Sequence, residues 1–168
     1  MKNMKTFFAA LILIVGTSSI VNAQKMAHID TQALIEAMPE TRAAQNELER
    51  IKKTYEAELL SMGRELEAKV RRYDAEAESK TEAENRRRVE EVQSAQQKIG
   101  EYRQNASMDL QKKEADLFTP LFEKARKAIE KVAKDKGIQY VMDATPGSGL
   151  IVADGEDLLP AVKRELGI

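Results

Sequence analysis

The longest hydrophobic pattern in the chain is one apolar stripe that begins after Thr41. Its members recur at steps of three and four, so that the pattern repeats every eleven residues. They are Leu48, Ile51, Tyr55, Leu59, Met62, Leu66, Val70, Tyr73 and Ala77. An eleven-residue repeat is about 3.67 residues per turn, which keeps the stripe on one face of a nearly straight helix. The pattern predicts a long amphipathic helix capped by Thr41, and it is not a leucine zipper.

The first stripe is lost within residues 77–84, and a second long helix is predicted to start there. Thr81-Glu82-Ala83-Glu84 matches a capping box, which starts helices. A thinner stripe then continues to Lys136 through Val89, Val92, Ile99, Tyr102, Ala106, Leu110, Leu117, Leu121, Ala125, Ile129 and Val132. We expect an antiparallel helical hairpin arm over residues 41–112 with its tip near 77–84. One continuous rod is the alternative, because no strong helix breaker occurs there.

Pro120 lies inside the second of these helices, where a proline usually kinks the helix. A dense apolar cluster surrounds it, made of Leu117, Phe118, Leu121 and Phe122. Either the helix passes from the arm into a body at this point and the cluster joins the body core, or Pro120 is a hinge that governs arm movement.

Short β-forming segments stand on both sides of the helical region. Residues 25–30 read as a strand, followed by a brief helix over 32–38 that Asp30 or Thr31 can cap and that Pro39 ends. After Gly137, a helix C-terminal residue, the stretch 138–153 reads as a β-hairpin turning at 144–149. A final helix is predicted over 158–166.

The predicted fold is therefore mainly α with a small β body, formed by residues 24–40 and 113–168. Three short strands cannot make a stable sheet alone, and exposed strand edges favour pairing with other chains. We expect the body to complete a barrel by oligomerisation. The residues predicted to build it are Ile29, Leu34, Ile35, Ile138, Tyr140, Val141, Leu150, Ile151 and Val152.

The first 23 residues have the pattern of a cleavable signal peptide. Lys2 and Lys5 precede an apolar run over 7–15, and Val21-Asn22-Ala23 supplies small residues for cleavage. This apolar run has about half the length of the ~20-residue segment that spans a bilayer, which argues against a transmembrane anchor. The chain contains no cysteine, which excludes disulfides and a lipoprotein anchor. We expect export.

Composition and charge exclude several function classes. A third of the residues are charged, 5% are aromatic and tryptophan is absent, as is typical of extended helix. Residues 1–23 hold two lysines and no acid, so the remainder has a net charge of −3 and no general attraction to nucleic acid. The basic run Arg86-Arg87-Arg88 stands among acidic residues, which favours a salt-bridged helix face over an RNA or lipid site.

Candidate chemistry is also absent. His28 is the single histidine, so a histidine-assisted nucleophile or a His/Cys zinc site cannot be assembled within one chain. Asp30 and Asp143 are predicted to cap turns, with a carboxylate pair as the alternative. Gly147-Ser148-Gly149 reads as a turn and not as a phosphate loop. We predict no catalytic residues, no metal site, no cofactor and no enzymatic activity.

The order of parts resembles the Skp/OmpH family of periplasmic chaperones over the whole chain after the signal peptide. The stretches that carry this resemblance are Ala27-His28-Ile29-Asp30-Thr31, Met38-Pro39-Glu40, residues 128–138 and Met142-Asp143. The C-terminal Leu166-Gly167-Ile168 is similar to the ending of members from Bacteroidetes.

This resemblance implies a periplasmic homotrimer with a shared β-barrel body and three helical arms around a cavity. Unfolded outer-membrane proteins would be held there without ATP until delivery to the outer-membrane assembly machinery. Well-known members are markedly basic whereas this chain is net negative, so no lipopolysaccharide site is carried over. A structural coiled-coil adaptor or spacer of the envelope is the alternative function.

Client capture would then depend on apolar contacts of the arm. The candidates are Tyr55, Met62, Leu66, Tyr73, Ile99 and Tyr102. The alternative for each is that it seals the two arm helices together, as most residues of the stripe must do.

Overall fold

The structure is a computed structural model that describes residues 25–168, so the predicted signal peptide lies outside the described residues. Its elements in chain order are β1 (Met26–Ile29), α1 (Thr31–Ala37), α2 (Pro39–Glu76), a 3-10 turn (Ala77–Ser79), α3 (Glu82–Asp135), β2 (Tyr140–Asp143), β3 (Glu156–Asp157) and α4 (Leu159–Leu166). None of the helices in this part of the chain combines the length and apolar character of a membrane span.

The helices α2 and α3 run side by side in opposite directions. Tyr55 on α2 bonds to Asp109 on α3, and eighteen residues further along α2, Tyr73 bonds to Glu91. Eighteen residues forward on α2 thus correspond to eighteen residues backward on α3, from Asp109 to Glu91, which shows that the two helices are antiparallel. With about 1.5 Å of rise per residue, the 38 residues of α2 extend roughly 57 Å.

The apolar stripe of α2 lies along this contact. All nine predicted members are partly buried, whereas nearly all other residues of 48–77 are exposed. On α3 the predicted members are buried or partly buried except Val89, which is 56% exposed. We call this line of contact the arm seam. The periodicity of the sequence was sufficient to find it.

The break between α2 and α3 carries the predicted capping box. The Thr81 hydroxyl accepts the Glu84 N–H, and the Glu84 carboxylate accepts the Thr81 N–H. These bonds also hold the pKa of Glu84 below its usual range. These two bonds confirm the predicted capping box. They satisfy two N–H groups that would otherwise lack partners at the start of the helix.

Thr41 does not cap α2, contrary to the prediction. The helix begins at Pro39, whose fixed φ suits the first helical turn. Thr41 is 2% exposed, and its hydroxyl donates to the carbonyl of Ile35 at 2.5 Å. It thereby satisfies a carbonyl at the C-terminal end of α1. The predicted cap at the start of α1 is confirmed, since the Asp30 carboxylate accepts the Ala33 N–H at 2.8 Å.

The sheet has the order β2-β1-β3, and both outer strands are parallel to β1. The predicted β-hairpin over residues 138–153 is therefore wrong, and residues 150–153 form no strand. Glu156–Asp157 occupies the second edge of β1 instead. The reason is the segment that follows: Leu158 and Val162 are fully buried in the core, and the Leu158 N–H donates to the His28 carbonyl at 2.9 Å.

The core lies in the body, where β1, α1, α4 and the last turns of α3 meet. Its fully buried side chains are Ile29, Leu34, Met38, Leu158 and Val162. Gly137 ends α3 with φ +66°, and the Ile138 N–H donates to the Ala133 carbonyl at 2.8 Å, as in a Schellman motif. This sharp end directs the chain into β2. Gly137 was predicted to end this helix, and that prediction is confirmed.

Candidate functional surfaces of the arm and the body

Four of the residues predicted to build an oligomeric body are buried within the chain itself. Ile29, Leu34, Ile35 and Ile138 are each 8% exposed or less. Their surface is unavailable to another copy, so these four residues build the core of the single chain. Val141 packs partly buried against the same core.

The other predicted body residues are more accessible. Leu150 is partly buried, whereas Tyr140, Ile151 and Val152 are exposed by 53%, 95% and 69%. Residues 150–153 form neither helix nor strand, and none of their backbone groups takes part in a hydrogen bond with the rest of the described chain. A β-forming stretch with open backbone groups is suited to pairing with another chain.

One face of the sheet carries apolar side chains and is only partly covered by the described residues, through the segment 150–155. Met26 stands beside Tyr140 and His28 beside Met142, opposite the face that buries Ala27 and Ile29. Met26 and Met142 are 53% and 41% exposed. Sequence reasoning missed these two methionines, although the alternation along each strand placed them with Tyr140. We call this surface, together with residues 150–153, the open sheet face.

His28 is the one histidine near this face. Its Nδ1 atom is buried and has no hydrogen-bond partner among residues 25–168, and its strand, β1, is the central one of the sheet. Asp157 is its neighbour in the register with β3. Within residues 25–168 no three His, Cys, Asp or Glu side chains are grouped to hold a metal ion.

Asp30 and Asp143 meet through Thr145 and not as a carboxylate pair. The Thr145 hydroxyl lies 2.7 Å from Asp143 Oδ1 and 3.2 Å from Asp30 Oδ1. Burial alone would raise the pKa of Asp143, but hydrogen bonds from Thr145 and Thr31 lower it below its ordinary value. This network ties the end of β2 to the start of α1. The predicted role of both residues as turn caps agrees with it.

Tyr55 and Tyr102 lie in the arm seam, with Tyr55 seven residues closer to the body than Met62. Their rings meet edge to face with centroids 6.1 Å apart, and the Tyr55 hydroxyl donates to Asp109 at 2.6 Å. The hydrogen bond to Asp109 raises the pKa of Tyr55. Both side chains are partly buried. Their observed contacts are with the opposite helix, and a role in client binding remains a prediction.

Tyr73 stands in the seam near the tip. Its hydroxyl donates to Glu91, which lowers the pKa of that carboxyl, and the Arg88 guanidinium lies 4.6 Å from the centre of its ring. Arg88 also pairs with Glu76 across the seam. The whole basic run is neutralised, since Arg86 pairs with Glu82 and Arg87 with Glu91, both at 3.6 Å. The predicted salt-bridged face is confirmed.

Met62, Leu66 and Ile99 line one open groove in the middle of the arm. Its volume is about 530 Å³, and its α3 wall combines Ile99 and the small Ser94 and Ala95 with charged side chains. All three predicted residues remain partly exposed. The seam is therefore thin at this level.

Three apolar side chains of the arm lie mostly outside the seam. Leu60, Val89 and Met108 are exposed by 55%, 56% and 53%. Leu60 and Met108 were missed because they fall off the periodic stripe. Their signal in the sequence was an apolar residue on an otherwise charged helix face.

Pro120 is exposed within a continuous α3. Leu121 is buried in the body core, and Leu117 and Phe118 pack against that core. Phe122 differs from the expectation for this cluster, because it is 56% exposed. Pro120 thus marks the place where α3 enters the body, and its role as a hinge remains a prediction.

Comparison with known proteins identifies one family. The family model described as "Outer membrane protein (OmpH-like)" matches residues 25–166. A crystal structure of a candidate OmpH-like outer membrane chaperone from Caulobacter crescentus CB15 shares the fold, with a TM-score of 0.74, 14% identity and 85% coverage of both chains. No curated protein matches this chain significantly. Because the family model spans nearly all described residues, the chain belongs to the OmpH-like family.

Proposed function

We propose that this protein is an ATP-independent periplasmic holdase chaperone for unfolded outer-membrane proteins. It would keep them soluble in a cavity between helical arms until the outer-membrane assembly machinery receives them. No catalytic step, cofactor or nucleic acid is part of this proposal. Membership in the OmpH-like family supports a chaperone role in general.

The observation that carries the proposal is the apolar surface that the arm leaves accessible. The arm offers scattered exposed residues such as Leu60 and Met108, and a shallow groove of about 530 Å³ in which apolar side chains stand among charged ones. Each such contact is weak. Many weak contacts within one cavity add up through effective concentration, so that an unfolded chain of any sequence is retained.

The open sheet face supports the proposed homotrimer. Parallel sheets are normally covered on both faces, but among the described residues Met26, Tyr140 and Met142 remain 41–53% exposed. Equivalent faces of three copies would bury these side chains and complete a barrel. The unpaired residues 150–153 would add to a strand edge of a neighbouring copy. The proposed body is 24–40 with 113–168, and the proposed arm is 41–112.

Localisation follows from the signal peptide that we predict in residues 1–23. Removal of this segment would release the remaining chain into the periplasm. Since the chain is net negative, the proposal includes no lipopolysaccharide site.

The test is the molar mass of residues 24–168 by light scattering, alone and after dilution of a urea-unfolded outer-membrane β-barrel protein into it. We expect a trimer and a soluble complex that contains the client. A monomer or dimer that leaves the client to aggregate would overturn the proposal. Tight stoichiometric binding of a folded envelope protein instead would support the structural adaptor.

A further inference from the structure

Two glycines lie at the same level of the arm, one on each helix. Gly63 lies eight residues after Tyr55 on α2, and Gly100 lies nine residues before Asp109 on α3. Since Tyr55 and Asp109 are bonded and the helices run in opposite directions, the two glycines lie within about one helical turn of the same height.

Neither glycine is explained by packing or by backbone geometry. A Cβ atom built on either would meet nothing within 4 Å, so alanine would fit. Both glycines lie inside helices, and neither has the positive φ that requires glycine. Glycine nevertheless weakens a helix interior, since a helix opens locally about fivefold more readily at a glycine than at an alanine.

The arm seam is also weak at this level. The open groove beside Met62 and Ile99 begins next to the two glycines and extends toward the tip of the arm. Between Tyr55 and Tyr73, no side chain of α2 forms a hydrogen bond or ion pair with α3 among the described residues. The Tyr55–Asp109 bond and the Tyr73–Glu91 bond mark the two ends of this gap.

We propose that Gly63 and Gly100 form a flexure that divides the arm into two stiff segments. The base segment is held by Tyr55 and Asp109, and the tip segment by Tyr73, Glu91 and Arg88. Bending requires both helices to yield within the same stretch of the arm, and the two glycines lie within about one helical turn of each other. Bending belongs to the chain itself, whereas its use to fit clients of different size rests on the proposed function.

The absence of cysteine makes a spin-label test direct. One label pair, at Ala57 and Ala75, spans the flexure, and a second pair, at Ala43 and Ala57, lies below it; all three alanines are exposed. Labelled chains are mixed with an excess of unlabelled chains, so that only distances within one chain are measured. We expect a broader distance distribution for the spanning pair, which narrows to that of the second pair in the G63A/G100A variant.

Hydrogen exchange gives a second readout. Amides next to Gly63 and Gly100 should exchange about fivefold more slowly after each substitution, because opening becomes rarer. The control is T54A/N105A, which raises helix propensity at two exposed positions outside the glycine level and should leave the spanning distribution broad.

Equal widths for both label pairs in the wild-type protein, or an unchanged width in G63A/G100A, would overturn the flexure. Those outcomes leave client retention untouched, so failure of this inference is distinguishable from failure of the chaperone. If the distance distribution of the spanning pair also narrowed in T54A/N105A, the effect would come from general helix stability. That outcome would overturn the flexure as well.

Discussion

The Tyr55 hydroxyl donates a hydrogen bond to the Asp109 carboxylate across the two arm helices, at 2.6 Å and over 54 residues of chain. The bond exists only while the phenol keeps its proton, and it raises the pKa of Tyr55 above the ordinary value of 10.0. A group whose pKa is raised on folding contributes stability below its unfolded pKa and loses it as pH rises through the folded value. We therefore expect the bond to be lost in alkali above pH 10.

Ultraviolet titration of the wild type and of Tyr55→Phe tests this. The difference between the two titration curves should correspond to one tyrosine that ionises at a higher pH than a free tyrosine does. Tyr140→Phe, which changes an exposed tyrosine, is the matched control. A difference curve with an ordinary midpoint would contradict the bond.

The body core should be sensitive to loss of volume at Leu34. This side chain is fully buried, and Leu→Ala substitutions in such sites cost about 2–5 kcal/mol of unfolding free energy. Urea denaturation followed by circular dichroism, at one fixed protein concentration, measures the loss. Gln32→Ala, on the exposed side of α1, should change stability by no more than about 0.5 kcal/mol.

The contact between β2 and α1 should weaken in acid. The pKa of Asp143 is lowered from 3.8 by bonds from Thr145 and Thr31, so its contribution is present above pH 3.8 and lost as pH falls through the depressed value. The Asp143→Asn variant should be less stable at pH 7, and its deficit should shrink below pH 4. Thermal unfolding at pH 7 and pH 3 measures both; a deficit independent of pH would contradict the assigned role.

Assembly should depend on the most exposed apolar residues of the body. The I151D/V152D variant places two charges where we propose that copies meet, and burying them would be costly. We expect the mass by light scattering to fall to that of one chain while helix content stays unchanged. The Q111D/T119D variant adds equal charge at exposed positions on α3 and should remain assembled. An intact oligomer in the first variant would place the interface elsewhere.

Client retention should depend on apolar residues outside the seam. L60Q/M108Q removes two exposed contacts, each worth roughly 0.5–1 kcal/mol, or about two- to fivefold in affinity. Mass and helix content should not change. S61Q/S107Q alters the exposed neighbouring positions and should bind as the wild type does. Equal affinities for both variants would show that clients are held elsewhere.

Much of the arm could be predicted from the sequence because its determinants are local. The spacing from Leu48 to Ala77 places side chains on one face of a helix whatever lies opposite, and the Thr81–Glu84 capping box needs only four residues. The sequence alone therefore determined two long amphipathic helices, the break between them and the family resemblance at both ends.

Only the tertiary structure decided the sheet and the accessibility of individual side chains. Residues 150–153 have strand-forming composition, yet burial of Leu158 and Val162 draws 156–157 to β1 instead. Ile29 and Ile151 look alike in sequence, but one is 1% and the other 95% exposed. The physical reason is that strand pairing and burial depend on which distant segments compete for the same edge and the same core, and local pattern does not contain that information.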